Sequence, residues 1–249
     1  MATPEYKSLN ADRIVATIER LSERIAARFP DAGLYDVCLE LLSIARKAKR
    51  RSEKIQRPIY WVRAAVLVLV VLFLLGVREA VVQHLVVIGG VEMINQLKRF
   101  DQLLPLVDAG TNVLIVLGAA LLFLTTMETR VKRSRALVAI HELRAIAHII
   151  DMHQLTKEPE RVMSTIIVTD VSPSITMSPA EMSRYLDYCS EMLALTGKLA
   201  ALYVQEFGDP VALAAVNEVE SLTTGLSRKI WQKMTMLHQV AKRSPATET

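Results

Sequence analysis

Residues 141–153 read HELRAIAHIIDMH. Three histidines, a glutamate, an arginine and an aspartate stand among strongly apolar residues. These are the side-chain types that ligate metals, carry protons or pair as ions. On a helix of about 3.6 residues per turn, His141, Arg144, His148 and Asp151 fall on one stripe. Glu142 lies on its flank, and His153 points elsewhere. Leu137, Ile140, Leu143, Ile146, Ala147, Ile149, Ile150 and Met152 surround the stripe. A helix apolar over most of its circumference is expected to have other helices on most sides.

Three chemistries are open to this stripe. His141-Glu142 begins an HExxH zinc motif, but that motif needs its second histidine at position 145, which is Ala145. His148 lies seven residues on, about 10 Å along the axis at roughly 1.5 Å per residue. One metal cannot be held by both from a single helix. His148 and Asp151, spaced i, i+3, remain candidate ligands for a metal shared with other helices, where His238, Asp187, Glu191, Glu218 and Glu220 are the available partners. The stripe can instead respond to pH, since histidines change charge near neutrality. The plainest reading is a solvated face on which His148–Asp151 and His141–Arg144 neighbours satisfy one another. No P-loop, GxGxxG, GxSxG, CxxC or complete HExxH occurs. No catalytic residue and no cofactor is therefore assigned, and the chain reads as non-enzymatic.

The elements that must position the stripe are helical. Hydrophobic residues make up 51% of the 249, while aromatics (5%) and glycines (9) are few, a balance that favours helices over a β-rich fold. Residues 59–77 carry one charge, Arg63, near their start, where it can snorkel, and Tyr60 and Trp61 sit where interfacial aromatics belong. Residues 109–127 carry no charge. Each run is about long enough to cross the ~30 Å of bilayer hydrocarbon.

Basic residues flank this pair asymmetrically. Arg46, Lys47, Lys49, Arg50, Arg51, Lys54 and Arg57 precede the first run, against Glu53 alone. Arg130, Lys132, Arg133 and Arg135 follow the second, whereas acids balance the bases between the runs. By the positive-inside rule both termini are expected in the cytoplasm, with residues 78–108 as the outer loop. Within that loop Met93, Leu97, Phe100, Leu104 and Val107 trace an amphipathic helix. Residues 80–90 either extend the first span or dip back into the bilayer, with Gly89-Gly90 as the expected stop. The polybasic run 46–57 can also contact anionic headgroups. Lacking interleaved aromatics, it is not read as a nucleic-acid site.

The remaining segments read as cytoplasmic helices. Asn10 caps a helix whose stripe is Ile14, Ile18, Leu21, Ile25 and Phe29, stopped by Pro30-Asp31. Leu34, Cys38, Leu41, Ala45 and Ala48 mark a second, over 33–56. A third spans 128–157, and residues 159–177 read as a Ser/Thr-rich loop. Ser178-Pro179-Ala180-Glu181 is a capping box. The seam it opens runs through Met182, Leu186, Cys189, Leu193, Thr196, Ala200, Tyr203 and Phe207. Gly208-Asp209-Pro210 then ends one helix and starts the next, which carries Val219, Leu222, Leu226, Ile230, Met234, Leu237 and Ala241. Residues 243–249 read as frayed. Cys38 and Cys189, distant and in no motif, read as reduced thiols. The polar first 24 residues have no apolar core, so no cleaved signal peptide is expected.

The expectation is therefore an all-α chain in three parts: N-terminal cytoplasmic helices (1–58), a two-span transmembrane hairpin (59–127) and a C-terminal cytoplasmic helical domain (128–249). N- and C-terminal helices together would form one bundle. The expected setting is a bacterial-type inner membrane with anionic headgroups. The expected role is non-enzymatic assembly or regulation through helix–helix contacts, with self-association and a possible protein partner. The alternatives are an oligomeric channel or transporter subunit whose vestibule the stripe lines, and a metal-dependent membrane enzyme.

Overall fold

The structure, a computed structural model, describes residues 8–56, 58–96, 100–157, 159 and 177–243. Among them are six helices and no strand: α1 (Ala11–Arg28), α2 (Leu34–Gln56), α3 (Tyr60–Gln96), α4 (Phe100–Leu155), α5 (Pro179–Leu202) and α6 (Pro210–Arg243). They divide into two compact units, one of Met1–Gln56 with Arg133–Thr249, the other of Arg57–Lys132. The loop expected at 159–177, the terminal 244–249 and Arg57 lie almost wholly outside the described residues.

Local signals in the first unit produce the elements directly. The Asn10 side chain accepts from the Arg13 N–H and caps α1. Ile14, Ile18, Leu21, Ile25 and Phe29 are all buried on one face of it. On α2 the same holds for Leu34, Cys38, Leu41, Ala45 and Ala48. Ser178 and Glu181 complete their capping box at the start of α5.

Helix α5 is the centre of this unit. It packs against α1, α2 and α6, and its buried residues include Tyr185, Tyr188, Met192 and Leu199 beside the Met182–Tyr203 seam. A single seam is thus too little: α5 is enclosed on several sides. Gly197 lets α6 come close, since a Cβ there would stand 3.3 Å from the Thr223 hydroxyl. Phe29 meets Tyr185 and Tyr188 edge-on, at centroid distances of 5.5 and 6.2 Å.

Two helix ends differ from expectation. Helix α5 stops at Leu202 rather than near Phe207. Tyr203 turns into the core, and i→i+3 bonds from Tyr203 N–H to Ala200 (3.1 Å) and from Val204 N–H to Ala201 (3.2 Å) tighten the exit. Helix α3 does not stop at Gly89-Gly90 but continues to Gln96. Glycine inside a helix costs only about 1 kcal/mol against alanine and, unlike proline, keeps its N–H and its hydrogen bond. Within the segment 78–108, residues 78–96 and 100–108 are helical backbone in α3 and in the start of α4, as expected for an extension of the first span, and residues 97–99, with Leu97 of the expected stripe, lie outside the described residues.

In the second unit the two helices include stretches apolar and long enough to cross a membrane. Leu67, Leu72, Leu74, Leu114, Ile115, Val116, Leu122 and Phe123 are each more than half exposed. The Thr125 and Thr126 hydroxyls donate back to carbonyls of their own helix, Leu121 and Leu122 (3.0 and 2.7 Å). That internal satisfaction is what a hydroxyl needs where no water is present. The Ile59 N–H reaches Glu128 Oε1 at 3.4 Å.

Candidate functional site

The stretch that opened the sequence lies on α4 within the first unit. Its inner face is sealed: Ala136, Ala139, Ile140, Leu143, Ile146, Ala147 and Ile150 are buried. Its outer face carries His141, Arg144 and His148, all exposed, with Asp151 half-buried. The four do not satisfy one another. Arg144 pairs with Glu218 of α6 (3.2 Å), and Asp151 accepts from Gln154 Nε2 (2.6 Å). Glu142 pairs with Arg51 of α2 (2.7 Å). The expected neighbour pairs within the helix give way to pairs between helices, because the other helices bring opposite charges within reach. His148 and Asp151 acquire no third ligand: among the described residues no three His, Cys, Asp or Glu side chains converge on a point that could hold a metal. His238 Nδ1 donates to the Met234 carbonyl of its own helix (2.7 Å).

The outer face is also more apolar than a solvated stripe. Val138 (57%), Ile149 (41%), Met152 (66%) and Leu155 (58%) are exposed beside the histidines. The sequence counted Ile149 and Met152 towards the buried circumference, and the structure turns them out.

His153, set aside in the sequence, is the histidine with a built environment. It lines a cleft of about 520 Å³ with Arg28, Phe29, Gly33, Lys157 and Tyr185. Its Nδ1 lies 3.4 Å from the Tyr185 hydroxyl. A Cβ at Gly33 would stand 3.0 Å from its ring, so glycine makes room for it. Burial, then the Lys157 charge, lower its pKa, against a smaller opposing effect of Asp36. Lys157 itself rides over the Tyr185 ring at 4.8 Å. Burial also pushes the Tyr185 hydroxyl up. Gly33 beside the Pro30-Asp31 break was the available signal, but a glycine in a turn does not say which side chain faces it.

A second feature was hidden by distance along the chain. Arg133 clasps Asp209 in a bidentate pair, Nε donating to Oδ1 (3.0 Å) and Nη2 to Oδ2 (2.7 Å), across 76 residues. The Asp209 side chain is almost fully enclosed. Its Oδ1 also accepts from the Val211 and Ala212 N–H groups (3.1 and 3.0 Å), capping α6 as its sequence position promised. The Arg133 hydrogen bonds, helped by those backbone donors, hold the carboxyl below its usual range against the cost of burial. At the far end of α4, Lys233 Nζ donates to the Gln154 and Lys157 carbonyls (2.9 and 3.1 Å) and caps that helix C-terminus.

The polybasic run splits in two. Arg46 pairs with Glu19 (2.7 Å), Lys49 with Asp12 (2.5 Å) and Arg51 with Glu142. These three are committed to the first unit's own helices. Lys47, Arg50 and Lys54 are exposed and make no ion pair among the described residues. Their i, i+3, i+7 spacing puts them on one face of α2.

The two thiols are inert features of the core. Cys38 and Cys189 are buried, and burial pushes each up to about 12.

No family model matches the chain, and neither curated proteins nor solved structures show a significant match to it.

Proposed function

We propose that this chain is a membrane-anchored, non-enzymatic assembly or regulatory protein that acts through helix–helix contacts. The observation that carries the reading is the contrast in side-chain exposure. Nearly all of the buried apolar residues lie in the first unit, while the second leaves large Leu, Val, Ile and Phe side chains of both its helices exposed. Exposed apolar surface of that extent needs lipid or protein around it. In this reading the spans 59–77 and 109–127 form a hairpin in a bacterial-type inner membrane, between cytoplasmic parts 1–58 and 128–249 that share one bundle. The flanking Lys and Arg residues keep both termini inside. Lys47, Arg50 and Lys54 rest on anionic headgroups, each near-surface charge contributing about 1 kcal/mol. The paired Arg46, Lys49 and Arg51 contribute little to that contact.

Sealed membrane vesicles test this. The protein stays in the membrane through alkaline carbonate. An impermeant maleimide added from the outer side labels a cysteine placed at Asn95 and not one placed at Ser8. Ile115→Arg, costing ~2.5–3.5 kcal/mol of insertion at a helix centre, lowers the membrane-integrated fraction. Release by carbonate, or the same labelling at both sites, ends the proposal.

A further inference from the structure

The cleft around His153 is walled by four parts of the first unit: the last turn of α1, the turn at 30–33, the end of α4 and the start of α5. Hydrogen-bond donors converge on it from three of them. Arg28 comes from α1, Lys157 from just past α4, and the Tyr185 hydroxyl from α5. The protein engages these donors little. Among the described residues neither the Arg28 nor the Lys157 side chain donates a hydrogen bond. Arg28 acts on Glu181 through its charge, and Lys157 lies over the Tyr185 ring. Tyr185 is 2% exposed, yet its hydroxyl meets His153 Nδ1 at 3.4 Å, longer than a well-formed hydrogen bond. The lining acids do not answer these donors. Glu181 Oε2 accepts instead from the Ser178 N–H and hydroxyl, each at 2.8 Å. Asp31, among the described residues, hydrogen-bonds to none of the three. Phe29, Ala32 and Met177 add apolar wall. The volume of about 520 Å³ lies within the ~300–1,000 Å³ of small-molecule sites, which combine apolar lining with a few convergent polar groups.

We propose that this cleft binds a small organic acid, holding its carboxylate with Arg28, Lys157 and the Tyr185 hydroxyl and its apolar body against Phe29 and Met177. A carboxylate supplies the acceptor atoms that the lining lacks. The planar guanidinium matches its two oxygens, and the ammonium and phenol add single donors. One negative charge suits the site better than two, because Asp31 and Glu181 remain on the lining and repel a dianion. The bound acid ties α1, α4 and α5 together at one end of the first unit, which gives a protein that works through helix contacts a signal to respond to. Every contributing residue belongs to the first unit, so the proposal is independent of the membrane reading. His153 senses the occupant. Lys157 acts on it from its own chain segment, Asp36 from α2 and Tyr185 from α5, with Arg28, Asp31 and Glu181 on the same lining. An anion beside the ring favours its charged form. Affinity therefore rises as pH falls from about 7 to 5.5, a range in which a carboxylate stays ionised.

Titration of the full-length protein in detergent with benzoate tests this, with benzamide as the uncharged counterpart and inorganic phosphate as the dianion. Benzoate binds saturably, and benzamide binds about tenfold or more weakly. Arg28→Gln and Lys157→Gln each weaken benzoate about tenfold or more while helical content stays unchanged. Arg144→Gln, which removes an equal charge from the outer face of α4, leaves binding as it was. Arg28 is exposed, so its variant keeps the test open if loss of Lys157 disturbs the Tyr185 ring. Benzoate moves the His153 ring titration, followed by NMR, to higher pH, and His153→Gln removes the tightening towards pH 5.5. No saturable binding at millimolar benzoate overturns the proposal. So does benzamide binding as well as benzoate, benzoate binding unchanged in the Arg28 and Lys157 variants, or phosphate displacing benzoate as the tighter ligand.

Discussion

Leu186 and Leu72 are the same residue in the middle of two long helices, yet Leu186 is fully buried and Leu72 is 64% exposed. The difference lies in what surrounds them. Leu186 sits on α5, which meets α1, α2 and α6 of its own unit. Leu72 sits on α3, and among the described residues nothing gives it comparable cover. Apolar character alone does not make a core. A core needs an apolar face and a set of partners whose polar faces point away from it, and α1, α2 and α6 provide that through their mixed sequences. The all-apolar runs of α3 and α4 have no polar face to turn outward, so they suit a surrounding that is itself apolar.

The sharpest way to break this comparison is to cut both leucines back. Leu186→Ala leaves a cavity and is expected to cost about 2–5 kcal/mol, read as lost hydrogen-exchange protection across α1, α2 and α5 in the full chain. Leu72→Ala is expected to change local protection by no more than about 0.5 kcal/mol. Equal losses at the two sites would erase the distinction between the units.

The Arg133–Asp209 clasp comes next. Asp209→Ala removes a helix cap worth about 1 kcal/mol and a charged hydrogen bond worth about 1.5–3 kcal/mol. Protection at the start of α6 should fall accordingly. The same carboxyl makes a pH prediction. Its folded pKa is depressed, so its contribution is complete above the ordinary Asp range near 4 and is lost as pH falls below it. Acid titration of Asp209→Asn should lack that component, and an unchanged acid profile would show that the clasp contributes nothing.

His153 gives a smaller effect at milder pH. A base with a depressed folded pKa binds its proton more readily when unfolded. Stability is therefore unaffected above the ordinary histidine range near 6.5 and declines as pH falls through it towards the lowered value. His153→Gln should flatten the melting temperature between roughly pH 6.5 and 5, where the native chain loses stability. An unchanged pH dependence in His153→Gln would misplace the built environment.

The smallest effects belong to the exposed ion pairs. Arg144→Ala and Arg24→Ala, which break the pairs with Glu218 and Glu191, should each cost less than about 1 kcal/mol and less still in high salt. A larger loss at Arg24 would point to its stacking over Tyr188 at 5.5 Å rather than to the charge pair.

The sequence carried a good part of the fold because several signals are short-range. Asn10, Ser178-Glu181 and Asp209 act on backbone groups two or three residues away, so their roles were legible one residue at a time. The Ile14–Phe29 and Leu34–Ala48 stripes were legible because helix geometry alone puts those residues on one face. The Gly89-Gly90 stop failed for a related reason: glycine weakens a helix locally, but two of them do not outweigh the apolar helix-forming residues on either side. The candidate site was legible as a place and not as an arrangement. The histidine stripe was found, but its interleaving with Val138, Met152 and Leu155 as one outward face depended on which side α2, α5 and α6 covered.

By itself, then, the sequence determined the all-helical class, the caps, the core-facing stripes and the two runs apolar and long enough to cross a membrane. Each follows from periodicity or from chemistry within a turn or two. Tertiary structure alone decided which charges are committed and which stay on the surface. It joined Arg133 to Asp209 and Arg51 to Glu142, left Lys47, Arg50 and Lys54 facing out, and turned His153 into the Gly33–Tyr185 cleft while His141 and His148 stayed exposed. Those outcomes depend on the meeting of residues far apart in the chain, and no local pattern records which helix will come to lie against which.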